Sequence, residues 1–133
     1  MQRREAREFV LSALYQREFT GAELPELLEE AAPGSQETYI CSTFQGILDR
    51  QPEIDRMIGE RTVGWRFERL ALIDRNILRI GVFELLFSDD VPAEVAMDEA
   101  VELAKRFGTE QARLFVNGIL DRIWQDAKDK IAG

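Results

Sequence analysis

Histidine is absent from this 133-residue chain, and cysteine occurs once. The first absence removes the commonest general base and the commonest metal ligand together, which disfavours most hydrolytic mechanisms and offers no metal centre. The second excludes an internal disulfide, and the apolar neighbours of Cys41 mark it as a packed side chain rather than a nucleophile. No window approaches the run of about 18 apolar residues that a membrane span requires. The first ten residues, "MQRREAREFV", open with charges and lack the apolar core and small-residue cleavage site of a secretory signal, which points to the cytoplasm. Positive charge is the other shortage: 17 Lys and Arg stand against 25 Asp and Glu, a formal net charge of −8. General affinity for nucleic acid comes from neutralising phosphates, so any basic site on this chain has to be local. With so many carboxylates, neighbours such as Asp89 and Asp90, or Asp98 and Glu99, are expected by chance and do not indicate acid/base chemistry.

What is present is helical periodicity. The length suits one domain covering residues 1–133, and the apolar residues recur at spacings of three and four with no convincing strand alternation. A first helix is expected from about Arg3 to Phe19, with Ala6, Phe9, Val10, Ala13 and Leu14 as its apolar face, ending near Thr20 and Gly21. Short helices are expected over 23–31 and, after Pro33, over 36–50, where Ile40, Phe44, Ile47 and Leu48 point inward. Pro52 is expected to open a further helix ending near Gly64. From Leu70 to Phe87 the apolar residues run almost all the way round, as in a central helix packed on most sides. Ser88, Asp89 and Asp90 are candidate caps before Pro92 at a first helical position, and a helix over 93–107 should bury Ala96, Met97, Ala100, Val101 and Ala104. Gly108 would end it and Thr109 would cap the last helix, with Ala112, Val116, Ile119, Leu120, Ile123 and Ala127 inward. The result is an all-α fold of about seven helices.

Two lines of residues are not explained by a core. On the first helix Arg4, Arg7, Leu11 and Tyr15 follow one another at three, four and four, with Arg3 one turn before Arg7. On the last helix Gln111, Phe115, Gly118 and Arg122 follow at four, three and four, to one side of the apolar face. Each line has a plain reading: Leu11 and Tyr15 widen the buried face while the arginines snorkel, and Gly118 lets two helices pack closely. The functional reading is a restricted RNA site, in which guanidinium groups hold phosphates and aromatic rings stack on bases. Asp74 and Glu84 are a third anomaly, since they stand among apolar positions of the central helix. Either they pair internally, with Arg75, Arg79 or Arg69 as the default, or they meet a basic partner protein.

The blocks "RLALIDRNILRIGVFELLF" (69–87) and "VPAEVAMDEAVELAKRFGTEQARLFVNGILDRI" (91–123), with the N-terminal "RREAREFVLSALYQ", resemble the transcription antitermination factor NusB family. The resemblance runs over essentially the whole chain, although 20–62 matches only in helical character. It implies two packed helical subdomains, no catalysis and no cofactor. It also implies binding of the boxA element of nascent RNA together with the ribosomal protein NusE, within an elongation complex containing other Nus factors, so that RNA polymerase resists termination. By position, the family's arginine-rich segment falls on Arg3, Arg4 and Arg7, its tyrosine on Tyr15, its RNA-facing residues on Gln111 and Phe115, and its NusE-linked acidic position on Asp74. The arginine line on the last helix adds Arg122 to the RNA set, and Glu84 joins Asp74 as a candidate partner contact. Glu5 interrupts the basic run, which implies poor RNA affinity without the partner. Some members of the family form homodimers through a surface overlapping the RNA site. Two competing functions remain in view: a helical protein-interaction module that binds no RNA, and an RNA methyltransferase, for which neither a glycine-rich methyl-donor turn nor a catalytic cysteine motif occurs.

Overall fold

Local chemistry at the chain's polar positions sets where each helix stops. The computed structural model describes the backbone of residues 1–132 and the side chains of 1–130. Helix α1 (Arg3–Thr20) begins where the Gln2 N–H donates to the Glu5 carboxylate at 2.9 Å, and it ends on Gly21, whose φ of 73° is the left-handed conformation glycine adopts without strain. α2 (Leu24–Leu28) is shorter than the periodicity suggests because none of its residues is buried, so nothing stabilises a further turn through Glu29 and Glu30. After a 3-10 turn over Gly34–Gln36 come α3 (Glu37–Asp49) and α4 (Gln51–Gly59). α4 stops well before Gly64: the Arg61 guanidinium donates to the Met57 carbonyl at 2.9 Å and the Thr62 hydroxyl to the Gly59 carbonyl at 3.0 Å, which satisfies the last turn there.

A second 3-10 turn, Phe67–Arg69, precedes α5 (Leu72–Leu86), followed by α6 (Ala93–Phe107) and α7 (Ala112–Ala132). Ser88, Asp89 and Asp90 supply no cap for α6. Pro92 itself is the N-cap, one position earlier than expected, and its carbonyl accepts the Ala96 N–H at 2.9 Å. Thr109 does not cap α7 either, because its amide and hydroxyl both donate to Asp74, at 3.0 and 2.6 Å. Among the described residues every regular element is helical, and no helix is long and apolar enough to cross a membrane.

α5 is the axis of the molecule. Every residue from Asn76 to Leu85 is buried, with α1, α3, α4, α6 and α7 all packed against the helix. Ile77, Leu78 and Ile80 are essentially inaccessible, and burial of each such side chain stabilises by about 1.5–3 kcal/mol. At Gly81 a Cβ would stand 2.8 Å from Leu120 Cδ1 and 3.2 Å from Ala100 Cβ, so the missing side chain is what lets α5, α6 and α7 converge. The core is one continuous apolar cluster that draws on all these helices.

The buried charges are paired, though not with the partners that sequence proximity suggests. Glu84 lies in the core and accepts two hydrogen bonds from Arg7, at 2.6 and 2.9 Å, and a third from the Tyr39 hydroxyl at 2.9 Å. Both charged side chains are nearly inaccessible, 4% for Arg7 and 2% for Glu84. Burial opposes the Arg7 charge, but the hydrogen bonds and charge of Glu84 outweigh it, and the guanidinium is held protonated above its ordinary range. Arg79 forms the second buried cluster, bidentate to Asp55 at 2.8 and 2.9 Å and also bound to Asn76 and Glu18.

Two outcomes follow from the Arg7–Glu84 pair. Removing either partner alone, as in Arg7→Met or Glu84→Gln, strands a buried polar group and should cost about 3–5 kcal/mol in urea unfolding, whereas Arg7→Met combined with Glu84→Leu should cost less than either single change. The Tyr39 phenol is pushed up, first by burial and then by the Glu84 charge, so the native state keeps a proton that the unfolded chain releases. That contribution is complete below about pH 10 and is lost as pH rises beyond it. The melting temperature should therefore fall more steeply above that pH in the parent protein than in Tyr39→Phe.

Candidate nucleic-acid interface

The α7 line exists as a surface. Gln111 and Arg122 are exposed, Phe115 is half-buried, and Ala112, Val116 and Ile119 on the adjoining face are in the core. Phe115 is the wall shared by two adjoining clefts between α7 and the segment leading into α5. One, of about 360 Å³, is lined by Trp65, Arg69, Leu70, Asp74, Glu110 and Gln111 as well as Phe115. The other, of about 310 Å³, is lined by Thr62, Val63, Trp65, Leu114, Gly118 and Arg122, again with Phe115. The Arg122 guanidinium folds back beside Gly118, where a Cβ would meet it in ordinary contact at 3.6 Å, and donates to the Arg61 carbonyl at 3.0 Å. The plain reading of Gly118 as a helix-packing contact does not apply.

The α1 line is divided among different tasks. Leu11 is in the core, as its plain reading has it. Arg7 points inward, its Nε and Nη2 donating to Glu84 and its Nη1 lying 3.5 Å from Glu99, so it offers nothing to a phosphate. Arg4 is 56% exposed but shared with Glu99, through hydrogen bonds of 3.0 and 3.2 Å. Arg3 is the open one: its guanidinium lies 4.2 Å over the Tyr39 ring, one nitrogen donates to Gln36 at 2.7 Å, and it has no carboxylate partner among the described residues. Tyr15 is half-buried and stacks on the exposed Phe19 at 5.2 Å.

The two lines do not meet in one pocket. Among the described residues, none of α1 lines either cleft beside Phe115. Arg4 and Arg7 stand at the level of Glu84 and Glu99, whereas Phe115 stands at the level of Asp74, which is ten residues earlier on α5 and about 15 Å away along the helix. α6 connects them, joined to α1 by Arg4–Glu99 and Glu8–Arg106 and packed against α7.

The two acidic candidates for a partner contact are both internal. Asp74 is 2% exposed at the floor of the first cleft, and both its oxygens accept from Thr109. Gly108 leaves room for this, since a Cβ there would fall 3.0 Å from Asp74 Oδ1. Glu84 is almost wholly covered, with Arg7 and Tyr39 bonded to its carboxylate. The expected internal partners Arg75, Arg79 and Arg69 are likewise corrected: neither carboxylate pairs with any of them. Sequence reading also missed Trp65, which walls both clefts. The signal available was its position directly after Gly64 in the run Gly-Trp-Arg-Phe-Glu-Arg, where two aromatics and two arginines follow a glycine turn.

This arrangement has counterparts among known proteins. A transcription antitermination protein NusB from Bacillus velezensis is 41% identical over 127 residues, covering 95% of this chain and 98% of that protein. The structure of T. maritima NusB superposes with a TM-score of 0.84 at 41% identity, covering 94% of this chain and 92% of the other. A structure of antitermination factors NusB and NusE in complex with double-stranded RNA has a TM-score of 0.80 at 28% identity, covering 93% and 96%. The sequence model of the NusB family matches residues 4–125, and the chain belongs to that family.

Proposed function

We propose that this protein is a transcription antitermination factor that binds boxA-type single-stranded RNA together with a NusE-type ribosomal protein and keeps RNA polymerase processive, above all on ribosomal RNA operons. It is a binding protein of the cytoplasm rather than an enzyme. The observation that carries this reading is the α7 line: an aromatic ring half out of the core, with an amide on one side and a guanidinium on the other, facing open clefts in a member of this family. Phe115 stacks on an unpaired base, Gln111 bonds a base edge, and Arg122 lies within reach of the backbone. Arg3, with Arg4 once it leaves Glu99, holds phosphates at the second station. An extended strand joins the two, since single-strand binders track about 4–16 nucleotides per module.

Arg7 takes a positioning role here, setting where Arg3 and Arg4 emerge. The partner reading rests on the related NusB and NusE complex and no longer on Asp74 or Glu84. At physiological salt, charges more than about 8 Å away are largely screened, so a few arginines work locally on an acidic body but do not draw RNA from a distance. A basic partner beside them supplies the missing charge. One observation favours the competing module without RNA binding: Val63 and Leu114 at the rim of the second cleft are apolar and strongly exposed, as at a protein contact.

Fluorescence anisotropy with a labelled boxA oligoribonucleotide, with and without NusE, separates the two. RNA binding should tighten with NusE. Phe115→Ala should weaken it about 5- to 150-fold, the range of one base stack. Arg3→Ala should weaken all sequences alike and flatten the logarithmic salt dependence by about 0.7. A stoichiometric complex with NusE but no RNA binding in any combination would establish the protein module instead.

A further inference from the structure

The segment between α4 and α5 carries a tryptophan that the core does not use. Trp65 is 48% exposed in a chain whose other large apolar side chains are mostly buried. It follows Gly64, whose φ of 77° is left-handed; a Cβ at Gly64 would touch nothing within 4 Å, so the glycine is there for the backbone turn and not for space. That turn sets the indole opposite Phe115, across both clefts. On its outer side Trp65 shares a third depression with Gly64, Arg66 and Arg69. Neither arginine has a carboxylate within ion-pairing distance among the described residues, whereas half of the other arginines of this acidic chain are paired. The acidic groups lining the first cleft are Glu110 and Asp74, and Asp74 is already satisfied by Thr109.

We propose that Trp65 is a second base platform facing Phe115, and that Arg66 and Arg69 hold the phosphates flanking the base, so that this cleft takes one unpaired nucleotide of single-stranded RNA. The inference rests on the RNA-binding reading above and extends it to a segment outside the two lines. The chemistry is consistent throughout: an aromatic ring on each side, guanidinium groups without ion pairs on the outer rim and the Gln111 amide in the lining. Clefts of about 360 and 310 Å³ lie at the lower end of the range for small-molecule sites, which suits a single planar ring and not a helix or strand of a partner protein.

The chain has two tryptophans, so in a Trp124→Phe background Trp65 reports alone. The full chain with NusE is titrated with a single-stranded boxA-type oligoribonucleotide and, separately, with its duplex. The single strand should quench Trp65 emission in step with anisotropy, and the duplex should not. Trp65→Ala should lose about 5- to 150-fold in affinity at unchanged melting temperature, while Trp65→Phe retains most of it. Arg66→Gln and Arg69→Gln should each flatten the salt dependence by about 0.7. Full affinity in Trp65→Ala with a weakened Phe115→Ala overturns the second platform and leaves the proposed function standing. Full affinity in both overturns the platform together with the assignment of Phe115, whereas no RNA binding by the parent protein in any combination overturns the RNA reading itself. Loss of a homodimer or of NusE binding in Trp65→Ala, with RNA affinity intact, overturns the platform and makes this surface a protein contact.

Discussion

Arg7 and Glu84 meet where α1 crosses a helix that has no exposed side, and the placement of much else follows from that contact. Apolar burial supplies most of the stability, but it is tolerant of sliding and rotation, whereas a bidentate guanidinium–carboxylate pair with a phenol on the same oxygen has one geometry. With Arg7 turned inward, residues three and four positions earlier fall about 60° and 40° to either side of it at 100° per residue. Arg4 is thereby delivered to Glu99 on α6, and Arg3 to the Tyr39 ring on α3. An arginine that binds nothing outside the protein thus determines where two others emerge.

The chain carries its positive charge sparingly, and six of its arginines are ion-paired among the described residues. Arg61 with Asp126, Arg79 with Asp55, Arg106 with Glu8 and Arg7 with Glu84 all hold helices together. Arg3 at one station and Arg66 and Arg69 at the other have no such partner among the described residues and lie beside aromatic rings. This distribution gives local anion affinity on a body that repels polyanions elsewhere, which favours recognition by shape and stacking over indiscriminate attachment.

Much of the fold was legible because hydrophobic periodicity reports burial. The all-round apolar run over 70–87 is the fully enclosed α5, and the stripes of α1, α3, α6 and α7 are their core faces. Helix ends were less legible, because they depend on side chains distant in sequence: Thr109 looks like a cap for α7 until Asp74, 35 residues earlier, takes its hydroxyl. The same limit governs the site. Spacing along α7 correctly gathered Gln111, Phe115 and Arg122 on one surface, but the arginine line on α1 mixed a buried pair with exposed groups, since periodicity gives direction around a helix and not what lies opposite. Trp65 escaped notice because it belongs to no helix.

The Asp74–Thr109 contact has one more implication. It ties the corner between α6 and α7 to the first turn of α5, and Gly108 allows the approach. Gln111 and Phe115 begin just beyond that anchored corner, so their backbone is fixed before any ligand arrives. A strand settling there finds its seat already shaped, and the freedom lost on association is largely its own.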